Sequence, residues 1–116
     1  MRNAMPTSPS WTRRPPSPIV PVERYVEGMA AVHRLGFVKA IGVSNYDKNQ
    51  MQRAITTLAK YEIPLASNQV PYNLLNRTIE KNGLLARCQE LGVRLIAYSP
   101  LAMGLLTGKY TPENPP

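Results

Sequence analysis

The sequence predicts an α/β fold built from parallel βα units, on three observations. Apolar residues switch three times from helical spacing to short runs rich in β-branched side chains. Those runs begin near residues 37, 65 and 93, a period of about 28 residues that suits one βα unit. Two of them also share sequence: Leu35-Gly36-Phe37-Val38-Lys39-Ala40-Ile41-Gly42-Val43-Ser44 parallels Leu91-Gly92-Val93-Arg94-Leu95-Ile96-Ala97-Tyr98-Ser99. Parallel strands joined by helices, with an internal repeat, form either a barrel or a doubly wound sheet. Spacing alone does not choose between them. Neither Gly-x-Gly-x-x-Gly nor a P-loop is present, which weakens the dinucleotide-fingerprint version of the sheet.

Each element has its own local reason. Val22, Tyr25, Val26, Met29, Ala30 and His33 recur at three- and four-residue steps, one face of a helix. Gly36, tolerant of left-handed backbone, ends it. Phe37 to Val43 reads as a short buried strand. Asp47 with Gln50 three residues later forms a capping box, and Met51, Ala54, Ile55 and Leu58 make the apolar stripe of the helix it opens. Pro64 blocks continuation, and Leu65 to Val70 is the second strand. Leu84, Leu85, Cys88 and Leu91 line a third helix before Gly92, and Val93 to Tyr98 is the third strand.

The first 22 residues differ. Six of the first 21 are proline (Pro6, Pro9, Pro15, Pro16, Pro18, Pro21), a density that removes backbone donors and favours extended chain. Residues 1–22 therefore read as a disordered Pro-rich arm, with 23–116 as the folded part. The arm holds Arg2, Arg13 and Arg14 and no acid, which also suits an organelle transit segment or coding sequence foreign to the fold. The formal charge of the chain is +7, but residues 23–116 carry eleven Lys/Arg against seven Asp/Glu. That mixed, mildly basic balance favours anionic ligands without implying nucleic acid, and Trp11 beside two arginines is no nucleic-acid motif. No stretch approaches the ~20 apolar residues of a membrane span. Cys88 is the single cysteine, so neither an internal disulfide nor a cysteine-clustered zinc site is available. His33 has no partner in sequence and reads as a surface or partly packed histidine; Cys88 reads as packing.

Polar residues follow each strand: Ser44-Asn45, Asn68-Gln69 and Tyr98-Ser99. In a parallel α/β fold these positions open on one face, where ligands bind. Amides there suit a carboxamide or carbonyl, and a tyrosine offers a flat apolar face to an aromatic ring. Each residue taken alone is as easily a helix cap or a turn former. Three strands repeating the pattern weigh toward a ligand site.

Three motifs then resemble the aldo-keto reductase family. Val38-Lys39-Ala40-Ile41-Gly42-Val43-Ser44-Asn45-Tyr46 is similar to its fifth strand, and Ser67-Asn68-Gln69-Val70-Pro71-Tyr72-Asn73-Leu74-Leu75 to its sixth strand and loop. Ile96-Ala97-Tyr98-Ser99-Pro100-Leu101-Ala102-Met103-Gly104-Leu105-Leu106-Thr107-Gly108-Lys109-Tyr110 resembles the seventh strand and the loop that covers the cofactor. The tail from Gly108 to Asn114 is most like the branch that includes plant chloroplast and pyridoxal-reductase-like members. The resemblance implies a partial (β/α)₈ TIM barrel of about three βα units, and NADP(H) as cofactor. It implies that Ser44, Asn45 and Gln69 hydrogen-bond the nicotinamide carboxamide and that Tyr98 stacks beneath the ring. Ser99, Pro100, Leu101, Ala102 and Met103 would wrap the pyrophosphate, and Lys109 would add positive charge to it.

The same resemblance implies what is missing. The family reduces carbonyls by hydride transfer from NADPH, with a tyrosine acid assisted by Lys, His and Asp on its first four strands. Tyr25, Lys39 and His33 do not lie in those motifs. The eighth strand, whose basic residues grip the 2′-phosphate, would follow Pro116. A full barrel takes ~250 residues. The expectation is a reductase fragment, inactive alone, whose open sheet edges invite self-association. The alternative is a non-catalytic interaction module that pairs with itself or with a full-length reductase. A carbonyl substrate belongs to the parent enzyme; neither nucleic acid nor membrane is expected as a partner, and the compartment is cytoplasm or chloroplast.

Overall fold

The computed structural model describes residues 20–116. The predicted arm lies almost wholly outside the described residues. Helix α1 (Val22–Arg34) leads to strand β1 (Ile41–Ser44), then α2 (Lys48–Ala59) and β2 (Leu65–Pro71). A single-turn helix α3 (Thr78–Lys81) and α4 (Leu84–Leu91) precede β3 (Arg94–Tyr98), and a kinked 3-10 segment covers Ala102–Thr107.

Each helix forms where its apolar stripe and its caps agree. On α1, Val22, Val26, Met29 and Ala30 are buried, whereas Tyr25 on the edge of that stripe is 43% exposed. The capping box of α2 is complete: the Gln50 backbone N–H donates to Asp47 Oδ1 at 2.8 Å, and the Asp47 N–H to Gln50 Oε1 at 3.0 Å. On α4, Leu84 and Cys88 are buried, and Gly92 closes the helix with φ 67°, a conformation that an L side chain adopts only with strain. The four-residue α3 and the 3-10 segment are too short to imprint a period on the sequence, which is why neither was foreseen.

The sheet order is β1-β2-β3, and both pairings are parallel. Consecutive strands added in one direction by right-handed crossovers put α2 and α4 on the same face. That is how a barrel winds; a doubly wound sheet reverses direction at its centre. Three strands do not reach such a reversal, so their order suits a barrel and equally one half of a doubly wound sheet. The core fills the layer between helices and sheet, with Val26, Ile41, Met51, Ala54 and Leu58 fully buried.

One boundary needs correction. The first strand begins at Ile41, not at Phe37, and Phe37 is 77% exposed. Gly36 with φ 81° turns the chain, and the Phe37 N–H still bonds back to the Val32 carbonyl at 3.4 Å. Residues 37–40 are thus a connection from α1, and the ladder starts only where Ile41 meets Leu65, with a register irregularity between Ile41 and Gly42.

The two long helices are tied at the surface. Arg53 on α2 grips Glu23 on α1 in a bidentate pair, both contacts at 2.7 Å. The Arg53 guanidinium holds the Glu23 carboxyl at about 2, well below its ordinary value. A folded-state value below the unfolded one stabilises the fold above the ordinary glutamate range, and the contribution is lost as pH falls toward 2. Acid titration of unfolding midpoints should show this loss, and Glu23→Gln should remove that part of the pH dependence, its effect shrinking as pH falls from the glutamate range to about 2.

Candidate functional site

Side chains alternate across a strand, so the register decides which polar groups share a face. Ser44 pairs with Gln69, Gln69 with Ile96, and Pro71 with Tyr98. Ser44, Gln69 and Tyr98 therefore lie on one face, at the C-terminal ends of the strands. Val43, Asn68 and Leu95 occupy the opposite face, where the Asn68 Nδ2 lies 3.9 Å from Met51 Sδ of α2. These three predicted site residues share the face turned away from the helices, which in a barrel is the inside.

Close packing brings β1 and β2 together there. A Cβ added at Gly42 would collide with the Ser67 hydroxyl opposite it, so any larger residue there would force that side chain to move. One step along, the fully buried Ser44 donates its hydroxyl to the Gln69 carbonyl at 3.1 Å, and the Asn45 N–H donates to the same oxygen at 2.8 Å. Asn45 has φ 59°, and its side-chain oxygen accepts from the Tyr98 hydroxyl at 3.0 Å. Ser44, Asn45, Gln69 and Tyr98 thus form one connected group spanning all three strands. Within it the Gln69 side-chain oxygen is buried and has no hydrogen-bond partner among the described residues. An unsatisfied buried acceptor is costly and marks a place where a donor is missing.

The segment after β3 is set in unusual backbone geometry. Ser99, Ala102 and Met103 have φ of 54°, 50° and 56°. With Asn45 they are four of the five non-glycine residues of positive φ among those described, so the strain is concentrated beside the strand ends. Pro100 and Leu101 are exposed, and Met103 is 88% exposed. The Lys109 ammonium lies 4.7 Å from the centre of the Tyr110 ring, and its terminal atoms would touch a Cβ placed on Gly104. Lys109 is therefore held against the turn that Met103 and Gly104 make.

Asn68, one of the strand-end amides, serves the fold. Its Nδ2 donates to the Tyr46 carbonyl at 2.9 Å and its Oδ1 accepts the Tyr46 N–H at 3.4 Å, so both faces of one peptide position are satisfied from the core. Tyr46 is itself buried, and burial pushes its phenol up to about 12, with Tyr25, Glu23 and Arg53 as its charged or titratable neighbours. It belongs to the helix side, away from the site. Cys88 is buried with its sulfur 3.7 Å from Met51 Sδ, and burial raises its thiol, as plain packing requires. Asn73 was not singled out in the sequence, yet it bridges from the β2 loop to Ser99. Among the described residues no group of three or more His, Cys, Asp or Glu is placed to hold a metal, and no helix is long and apolar enough to cross a membrane.

Comparison with known proteins agrees with this geometry. The aldo/keto reductase family profile matches residues 13–116, starting inside the proline-rich stretch. The chain is 42% identical over 90 residues to L-glyceraldehyde 3-phosphate reductase of Escherichia coli K12, covering 78% of this chain and 26% of that protein. It is 41% identical over 90 residues to the chloroplastic pyridoxal reductase of Arabidopsis thaliana, covering 78% and 25%. Among solved structures, a glycerol dehydrogenase from Gluconobacter oxydans superposes with a TM-score of 0.74 at 34% identity, over 84% of this chain and 28% of that one. A thermostable aldo-keto reductase in complex with the inhibitor epalrestat gives 0.69 at 41% identity, over 81% and 33%. The chain belongs to the aldo/keto reductase family, a family of oxidoreductases that generally use NADP(H). Its three-stranded sheet is part of a (β/α)₈ barrel, and the chain spans about a quarter of the length of these two curated relatives.

The clip on Tyr46 can be tested alone. Asn68→Ala leaves a buried N–H and carbonyl without partners and should cost about 2 kcal/mol, read from urea unfolding. An unchanged midpoint would mean that Tyr46 finds other partners.

Proposed function

We propose that residues 23–116 supply the nicotinamide-binding side of an NADP(H)-dependent aldo-keto reductase that reduces a carbonyl to an alcohol. The observation that carries this reading is the buried Gln69 oxygen without a donor, beside Ser44, Asn45 and Tyr98 at the strand ends. A carboxamide N–H₂ is the complementary group, so the residues present fit the nicotinamide end of the cofactor. Gln69 would accept from that amide, and Ser44 and Asn45 would hold it from the adjoining strand. Tyr98, already fixed through its hydroxyl to Asn45, would present its ring beneath the nicotinamide. Ser99, Pro100, Leu101, Ala102 and Met103 would follow the pyrophosphate, and Lys109 would place a positive charge beside it.

When bound, the dihydronicotinamide supplies the hydride that reduces the carbonyl. This chain's residues would orient the ring and exclude water from its lower face. In this reading the acid tyrosine and its Lys, His and Asp partners lie in the part of the relatives' length that this chain does not span. Residues 23–116 alone would therefore bind cofactor weakly and turn nothing over. Both β1 and β3 have one edge without a strand neighbour among the described residues, which supports self-association of the isolated chain; its elution volume in size exclusion should shift with concentration.

The discriminating variant is Gln69→Leu. Replacing an unpaired buried acceptor by an apolar side chain of similar size should leave unfolding unchanged or raise it by about 1 kcal/mol. The same change should weaken NADPH binding at least tenfold in a fluorescence titration. Equal NADPH affinity in Q69L and the wild type would sink the assignment. Oxidation of NADPH by the wild-type chain on adding an aldehyde would overturn the claim that it is inactive alone.

A further inference from the structure

The segment after β3 raises a physical question that its own sequence does not answer. None of the residues Ala102–Thr107 is fully buried, so burial in the core does not by itself fix the strained backbone at Ser99, Ala102 and Met103. An exposed loop in that conformation needs hydrogen bonds to hold it. At its tail, the Thr107 hydroxyl donates to the Gly104 carbonyl at 2.7 Å and Asn114 Nδ2 to the Lys109 carbonyl at 3.3 Å. At its head, the hold comes from β2's loop.

Tyr72 prolongs the β2–β3 ladder by one bond, its N–H donating to the Tyr98 carbonyl at 3.3 Å. The next residue, Asn73, is then directly beside Ser99. Its Nδ2 donates to the Ser99 carbonyl at 2.9 Å, an oxygen that also accepts the Ala102 N–H at 3.0 Å. Its Oδ1 accepts from the Leu75 and Asn76 N–H groups at 2.8 and 2.9 Å, an Asx turn reinforced by mutual backbone bonds of 3.1 Å between Asn73 and Asn76. One amide thus builds its own rigid turn with the acceptor end and clamps the neighbouring loop with the donor end. The turn is anchored in its own right: the Tyr72 hydroxyl donates to Glu80 Oε1 at 2.6 Å, and Arg77 holds the same carboxylate at 2.8 Å.

We propose that Asn73 is a positioning residue for the cofactor's pyrophosphate: it holds Ser99 to Met103 in the binding conformation before the ligand arrives. This rests on the reading of the site as cofactor-binding. A loop ordered in advance costs less to bind, so loss of the clamp should appear mainly as lost affinity for ligands that reach the loop.

Asn73→Ser makes the separation. A serine hydroxyl can still accept from the Leu75 and Asn76 N–H groups but is too short to reach Ser99. Amide hydrogen exchange should speed up across residues 100–107 and stay unchanged across 74–80. NADPH should bind about three- to tenfold more weakly, the loss of one net hydrogen bond. Reduced nicotinamide riboside, which has no phosphate, should bind the variant and the wild type alike. Unchanged exchange over 100–107, or equal weakening of both ligands, would overturn the proposal. If wild type binds neither ligand, the cofactor reading itself fails and takes the positioning role with it, while exchange still reports the clamp. Asn73→Asp, which keeps the acceptor and sets a carboxylate oxygen against the Ser99 carbonyl, is the second variant if serine does not fold; it should raise exchange over the same residues, and unchanged exchange would count against the clamp.

Discussion

Everything at this site hangs on the register between β2 and its two neighbours. Asn68 and Gln69 are adjacent amides of nearly the same chemistry, and alternation sends them to opposite faces. Asn68 goes to the helix side and is consumed by the Tyr46 peptide. Gln69 goes to the other side and keeps an oxygen without a partner. A slip of one residue would exchange the two, taking Asn68 away from the Tyr46 peptide and turning Gln69 into the core. What fixes the register is the tight pairing of Gly42 with Ser67 and the Ser44 hydroxyl on the Gln69 carbonyl.

The order of the strands matters in the same way. Because β1, β2 and β3 are laid down in one direction, the helices cover one face and leave the other for the site. Parallel strands are normally covered on both faces. Here Arg94 and Ile96 of β3 remain exposed, Ile96 at 38%. That exposure fits a sheet which is one sector of a barrel, as the superposition on family members independently indicates. The helix layer is self-sufficient by comparison: α1 and α2 share buried apolar residues and the Glu23–Arg53 pair.

How much of this was legible in the sequence follows from the length scale of each signal. Stripes such as Met51, Ala54 and Leu58 extend over several turns and each adds evidence, so helices α1, α2 and α4 could be read directly. The capping box at Asp47 and Gln50 is a local chemical pattern and survives into the structure unchanged. The start of β1 was misread because Phe37 and Val38 have strand-like side chains while Gly36 and the tail of α1 control their backbone. That control is tertiary and leaves no periodic trace. The candidate site residues stand out in the sequence by their place after strands and by family resemblance. Spacing could not tell that Asn68 would be structural, since the decision is made by which face a residue takes. Asn73 was missed for a related reason: its partner, Ser99, is remote in sequence and becomes a neighbour only through the β2–β3 pairing.

The strand ends also show what the fold gives up. A buried acceptor without a donor and three non-glycine residues in left-handed backbone after β3 are each unfavourable on their own. Both could be relieved by ordinary substitutions, an apolar residue at position 69 and glycine in the loop. Their presence together at the strand ends contrasts with the helix side, where Asn68 and the Asp47–Gln50 capping box are bonded, and separates the chain into two regimes. The helix side is optimised for stability through Asn68, Asp47 and the apolar stripe. The opposite side keeps an unpartnered acceptor and a loop in left-handed backbone, the two features on which the proposed cofactor reading rests. The register alone puts these two regimes on opposite faces of one sheet.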